Sequence, residues 1–236
     1  DFSSFKDMEP EEFVERMLIQ GMGAKELSCG YDFTFGKGGA GTTETLCRVA
    51  ERHGVKVNVV EPVTLDGEPV SSTRIRQAIL EGKMDEASRM LGRRFCLRLK
   101  VEHGNCIGRL LDFPTITQSF PQHHIVPRYG VYSTVVNVAG KLYGGVTNVG
   151  VKPTVGSDRP LSETYILDYS GDLYGQTVEV YFFRFVRPEQ KFSSIAELKE
   201  QIARDKEDVA QEVAQNIEQM LFLDSRAQEP ATFEKI

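Results

Sequence analysis

Residues 104–117 read Gly-Asn-Cys-Ile-Gly-Arg-Leu-Leu-Asp-Phe-Pro-Thr-Ile-Thr, and the chain on either side of them follows two different rules. Gly104 and Gly108, four apart, let backbone approach an anion closely, and Arg109 offers a planar fork of donors to phosphate oxygens. Pro114 stiffens the backbone leading into the next strand. Thr115 and Thr117 lie two apart, so in extended backbone their hydroxyls share one side, a seat for Mg²⁺ and its waters. Neutral ligands suit a metal shared with a polyphosphate. The same spacing also fits a plain turn between strands. A P-loop is excluded, because the segment contains no Gly-Lys-Ser/Thr.

From residue 96 onward the pattern is that of strands. Residues 96–101, 130–138, 141–148, 163–169 and 176–185 are short alternating or β-branched runs separated by turn residues, with Ala139-Gly140 closing a hairpin. They predict an antiparallel barrel. A long helix is expected over 194–220, striped by Leu198, Ile202, Val209, Val213 and Ile217, and the tail from Asp224 is polar and expected to fray.

Upstream the pattern alternates. Helix signals at 8–20, 42–53, 71–80 and 84–91 interleave with strand signals at 26–29 and 55–60, which implies a parallel α/β sheet. The glycine-rich run 37–41 predicts a mobile loop, and 92–95 a hinge between modules. Ser71-Ser72-Thr73-Arg74-Ile75-Arg76 opens a helix with hydroxyls and guanidinium groups, a way to hold phosphate at free backbone N–H groups. An ordinary Ser cap with solvent-facing arginines fits the same residues.

The 236 residues, 40% of them hydrophobic, suffice for two domains. A net charge of −6 and a pI near 5.4 argue against general nucleic-acid binding. Cys29, Cys47, Cys96 and Cys106 lack metal-ligand spacing, and three of them sit in apolar or strand-like surroundings that read as reduced, buried thiols of a cytoplasmic protein. No apolar run approaches about 18 residues, so neither a membrane span nor a membrane partner is expected.

The segment 104–117 resembles the Gly-Arg-x-x-Gly-Phe-Pro-Thr-Ala-Asn signature of riboflavin kinases. Gly-Val-Tyr from 130, Asn-Val-Gly-Val-Lys-Pro-Thr from 148, Glu-Thr-Tyr-Ile-Leu-Asp from 163, Asp-Leu-Tyr-Gly from 172 and Arg-Pro-Glu-Gln-Lys-Phe from 187 come in the family's order. Gly-Tyr-Asp-Phe-Thr-Phe-Gly from 30 and the Ser-Ser-Thr-Arg-Ile-Arg of 71–76 resemble the FMN adenylyltransferase module fused to that kinase in bacterial bifunctional FAD synthetases. The resemblance covers roughly 2–209. It implies a partial nucleotidyltransferase-like (Rossmann-like) α/β domain over 1–91, an antiparallel β-barrel riboflavin kinase domain with a C-terminal helix over 92–223, and a tail over 224–236.

By the same resemblance, ATP phosphorylates riboflavin to FMN with Mg²⁺. Glu163 is the catalytic base; Gly104, Gly108, Arg109, Thr115 and Tyr165 contact ATP; Thr115 and Thr117 hold the metal; Asn148 and Arg187 face the flavin. Ser71, Ser72, Arg76, Asp32 and Phe33 carry over as nucleotide or flavin contacts of the adenylylating module. Departures are also visible: Ile116 and Thr117 stand where the family has Ala-Asn, Asp112 where it has Gly, and Leu99 where a Gly usually opens the nucleotide turn. The superfamily's histidine loop is not found ahead of Gly30, so a segment upstream is expected to be missing and FAD synthesis is not expected from these residues alone. Alternatives are a flavin- or nucleotide-binding protein with impaired catalysis, favoured by Thr117 and Asp112, and a barrel used only for protein interaction.

Overall fold

In the computed structural model, residues 6–104, 113–151 and 159–225 are described, with side chains of the final helix described to Val213. The chain divides into two compact units, Asp1–Val70 and Ser71–Ile236.

In the first unit, helix α1 (Pro10–Glu12) continues directly into a π-helical segment, Phe13–Gly21. Its wider winding is visible where the Met22 N–H donates to the Met17 carbonyl at 3.0 Å, five residues back. Strand β1 (Glu26–Gly30), helix α2 (Thr43–Arg52) and strand β2 (Lys56–Val60) form a parallel crossover, with Glu26 opposite Lys56 and Gly30 opposite Val60. α2 starts where expected because the Thr42 hydroxyl accepts from the Thr45 N–H. Val14, Phe35, Leu46 and Val49 make the core. Strands β3 (Thr64–Leu65) and β4 (Glu68–Pro69) pair as a small hairpin.

The run 37–41 is a built turn rather than the open loop its glycines suggest. Phe35 and Gly41 exchange backbone hydrogen bonds at 3.1 and 2.8 Å, and the Lys37 N–H donates to the Met8 carbonyl. Gly41 lies flat on the Phe35 ring, where a Cβ would come within 2.7 Å of a ring carbon.

The second unit opens with helices α3 (Ser72–Glu81) and α4 (Met84–Leu91). Strands β5 (Phe95–Lys100), β6 (Thr115–Ser119), β7 (Gly130–Val138), β8 (Lys141–Val151), β9 (Pro160–Ile166) and β10 (Thr177–Arg187) come next, and helix α5 (Ile195–Ser225) ends the described chain. The strands form one antiparallel sheet in the order β5-β10-β7-β8-β9-β6. Ala139 and Gly140, both at positive φ (52° and 87°), make the tight β7–β8 turn that their sequence predicts.

The sheet curls until its edge strands meet, as the barrel expectation requires. The Glu102 N–H donates to the Thr117 carbonyl at 2.8 Å, and the fully buried Gln118 amide reaches the Leu99 and Val178 carbonyls at 2.7 and 3.0 Å. Strand alternation then gives the curled sheet two faces. Tyr132, Val136, Val149, Val180 and Phe182 fill the inside. Val131, Val135, Val146, Leu167 and Phe183 face outward and are covered by Val209 and Val213 of α5. Two register shifts in β10, between Phe182 and Arg184 and between Phe185 and Arg187, bring both arginines to the helix-covered face. The three described cysteines form no disulfide and are half-buried, less enclosed than their sequence surroundings suggested.

Candidate active site

Register builds the site. Across the outer face runs the row Thr117–Glu163–Asn148–Val131–Arg187, contributed in turn by β6, β9, β8, β7 and β10. Beside it runs Thr115–Tyr165–Val146. Residues opposite one another share a face, so side chains far apart in sequence are gathered on a single wall.

That wall bounds a cavity of about 390 Å³. Thr115, Asn148, Glu163, Tyr165, Val131 and Val146 form its sheet side, while Leu198, Ile202 and Asp205 of α5 roof it. Phe113 and Phe192 add aromatic surface, and Arg187, Glu189 and Gln190 a polar one. The Phe113 and Tyr165 rings meet edge to face at 5.5 Å, and the Lys206 ammonium stands 5.5 Å from the Tyr165 ring centre. An apolar slot with a few convergent polar groups is the form of a small-molecule site.

Arg187 is held firmly. Its Nε donates to both Asp205 oxygens at 3.0 and 3.1 Å, its Nη2 donates to Oδ2 at 2.7 Å, and Nη1 donates to the Pro188 carbonyl at 3.2 Å. Gln201 adds a hydrogen bond of 2.9 Å to the same carboxylate. Asp205 is only 4% exposed, and a charge so enclosed requires this pairing. One and two turns further along α5, Asp208 and Glu212 bind Arg184 on the more open flank. Glu212, followed by Asp208, pushes the Arg184 guanidinium further toward its charged form. The Asn148 amide donates to Glu189 at 3.5 Å.

A second cavity, of about 290 Å³, adjoins the first. Pro114, Ile116 and Ile166 line it with residues 169–174, and Thr115 lines both cavities. Near its rim His103 stacks on Tyr174 with centroids 3.8 Å apart. Gly104 sits directly over Thr117, so that a Cβ there would collide with the Thr117 hydroxyl. Thr117 itself is buried beneath it rather than lining either cavity.

Five residues expected from sequence to act at the barrel site, Thr115, Asn148, Glu163, Tyr165 and Arg187, therefore line one cavity. Gly108, Arg109 and the divergent Asp112 lie outside the described residues. Among the described residues, no cluster of three or more His, Cys, Asp or Glu side chains could hold a metal. In the other expected site, Asp32 and Phe33 are exposed after β1 in the first unit, with Phe33 stacked on Phe35. Ser71, Ser72 and Arg76 are exposed at the start of α3 in the second. The Ser71 hydroxyl accepts from the Arg74 N–H at 3.2 Å, the ordinary cap that its sequence also allowed. Asp205, Glu189 and Gln190 escaped the sequence reading. Asp205 carries a legible signal, an acid on the face of an otherwise apolar stripe running from Leu198 through Ile202 to Val209 and Val213.

A curled antiparallel barrel with a mainly apolar cavity beneath its terminal helix has the form of a small-molecule site. The chain belongs to the riboflavin kinase family: the model of that family matches residues 91–213, and that of FAD synthetase matches residues 2–74. It is 32% identical over 207 residues to the bifunctional riboflavin kinase/FMN adenylyltransferase of Listeria monocytogenes, covering 87% of this chain and 65% of that one. With the protein of the same name from Pseudomonas fluorescens it shares 37% identity over 201 residues, 85% of this chain and 64% of that one. The chain thus spans about 65% of the length of such relatives. A crystal structure described as a macrolide-efflux protein from Streptococcus pneumoniae superposes with a TM-score of 0.77 at 34% identity, over 88% of this chain and 67% of that one. Among the described residues no helix is long and apolar enough to cross a membrane.

Proposed function

We propose that the barrel unit is a riboflavin kinase, transferring the γ-phosphoryl group of ATP to the ribityl 5′-hydroxyl of riboflavin to give FMN and ADP. The observation that carries this reading is the position of Thr115 on both cavities, with Glu163 on the larger. The larger cavity, flanked by Phe113, Tyr165 and Phe192 and roofed by Leu198 and Ile202, suits a flat aromatic ring system. Asn148 and Arg187 are its flavin-side contacts. The smaller cavity suits the nucleotide, with its phosphates directed across Thr115 toward Gly104.

In this scheme the hydroxyl oxygen forms a bond to the γ-phosphorus as the bond to the β,γ-bridging oxygen breaks, and ADP leaves. Glu163 accepts the hydroxyl proton, an effect of about 10² to 10⁴ in rate. The Thr115 hydroxyl, and the Thr117 hydroxyl on the same side of β6, would hold Mg²⁺, a hard cation that such oxygen donors suit. The ion would neutralise charge on the triphosphate. Tyr165, expected from the resemblance as an ATP contact, lines the larger cavity and not the smaller one, and there it would face the flavin.

We keep 1–91, 92–223 and 224–236 as the proposed modules, distinct from the packing units. Asp32, Phe33, Ser71, Ser72 and Arg76 are proposed nucleotide or flavin contacts of the adenylylating module, whose conversion of FMN to FAD we assign to a longer chain. Cysteines outside any disulfide at Cys29 and Cys47 support a reducing, cytoplasmic setting. Incubation with riboflavin, ATP and Mg²⁺, with flavins resolved by chromatography, tests the reading. FMN without FAD is expected. Riboflavin binding with no product would favour a flavin-binding protein without turnover, and neither binding nor product would overturn the assignment.

A further inference from the structure

The roof of the larger cavity has two unlike halves. Beyond Asp205, Val209 and Val213 are locked into the core on the outer face of the sheet. Before it, Leu198 and Ile202 face the cavity itself. Asp205 stands where α5 passes from one role to the other, and it is bound to Arg187 by three nitrogen–oxygen contacts of 2.7 to 3.1 Å. Arg187 in turn ends β10 in the same cross-strand row as Glu163 and Asn148. Gln201, one turn earlier on α5, steadies the carboxylate at 2.9 Å.

We propose that Asp205 is a positioning residue for the flavin. Through Arg187 it fixes both the guanidinium at the polar end of the cavity and the height of the Leu198–Ile202 roof above the sheet. Asp205 accepts from Nε and one Nη2 hydrogen, and Pro188 accepts from Nη1. The guanidinium's five N–H groups exceed these needs, so the pair retains donors for a ligand's carbonyl or ring nitrogen. A carboxylate placed there solely for stability has no such requirement, since a buried ion pair is commonly replaceable by well-packed apolar groups.

The inference rests on the proposed function, and its test keeps the two separable by reading riboflavin affinity, from quenching of flavin fluorescence, alongside FMN formation. Wild-type protein that fails to bind riboflavin would overturn the proposed function itself. Given binding by wild type, Asp205→Asn is expected to weaken riboflavin affinity and raise its KM on the order of tenfold with kcat little changed. Asp205→Glu is expected to recover part of the loss. Asp208→Asn, which breaks the outer pair to Arg184 on the same helix, is the control and should leave affinity unchanged. Should Asp205→Asn fold poorly, the apolar double variant Arg187→Met/Asp205→Leu restores packing without the charges and is expected to fold yet bind riboflavin weakly. Wild-type affinity in either the folded Asp205→Asn or the double variant, or equal losses in Asp205→Asn and Asp208→Asn, would overturn the proposal.

Discussion

The two faces of the barrel sheet are both polar between β6 and β7, and only one of them has the form of a site. Inside, Thr134, Thr147 and Thr164 are fully buried and joined hydroxyl to hydroxyl at 2.8 Å, the chain ending on the Gly145 carbonyl. Outside, the neighbouring Asn148, Glu163 and Tyr165 line a cavity large enough for a ligand. Thr164 and Glu163 are adjacent in sequence, yet one belongs to a closed ladder and the other to an open wall. Polarity on a strand therefore says little about function until the face is known. Buried hydroxyls that satisfy one another specify a core, whereas polar groups at a cavity are available to a substrate.

Substitutions on the two faces should separate accordingly. The largest effect is expected from Glu163→Gln, which should lower FMN formation by about 10² to 10⁴ while riboflavin still quenches. Unchanged turnover would remove Glu163 from the role of base and erase the functional contrast between the faces. Gly104→Ala comes next, since its methyl must displace the Thr117 hydroxyl. A strain of about 1–3 kcal/mol there should raise the KM for ATP about tenfold, with riboflavin affinity unaltered. If riboflavin affinity falls instead, the assignment of nucleotide and flavin to separate ends is wrong.

The inner face is probed by Thr147→Val, which takes away the middle hydroxyl of the ladder. It should cost about 1–3 kcal/mol in denaturant unfolding and leave riboflavin affinity as in wild type; a loss of binding without loss of stability would blur the contrast between the faces. The smallest effect belongs to Ser71→Ala at the start of α3. As a cap it should cost about 1 kcal/mol with no change in kinase turnover, and a stability change near zero would show that Ser71 is present for a reason other than capping.

Much of the candidate site was legible beforehand because the residues that line the larger cavity sit in ordered motifs. Thr115, Asn148, Glu163, Tyr165 and Arg187 could each be named singly, and the two-residue period of a strand put Thr115 and Thr117 on one side. That same period could not foresee that Gly104 would cover Thr117 while Thr115 opened onto two cavities. Nor could it supply the register shifts that carry Arg184 and Arg187 to the helix side of β10. The glycines of 37–41 misled for a related reason: freedom of φ permits a loop but does not require one, and the Phe35–Gly41 pairing closes it.

Composition, periodicity and caps thus determined the elements: an α/β segment ahead of an antiparallel barrel, Thr42 and Ser71 at helix starts, Ala139-Gly140 at a hairpin. These depend on interactions within a few residues, which sequence displays directly. The pairing of Asp205 with Arg187, the roof made by half of α5 and the gathering of five strands' residues into one row were decided by tertiary structure alone. Each joins groups that are distant along the chain, and their meeting depends on strand order and register, which only the closed sheet fixes.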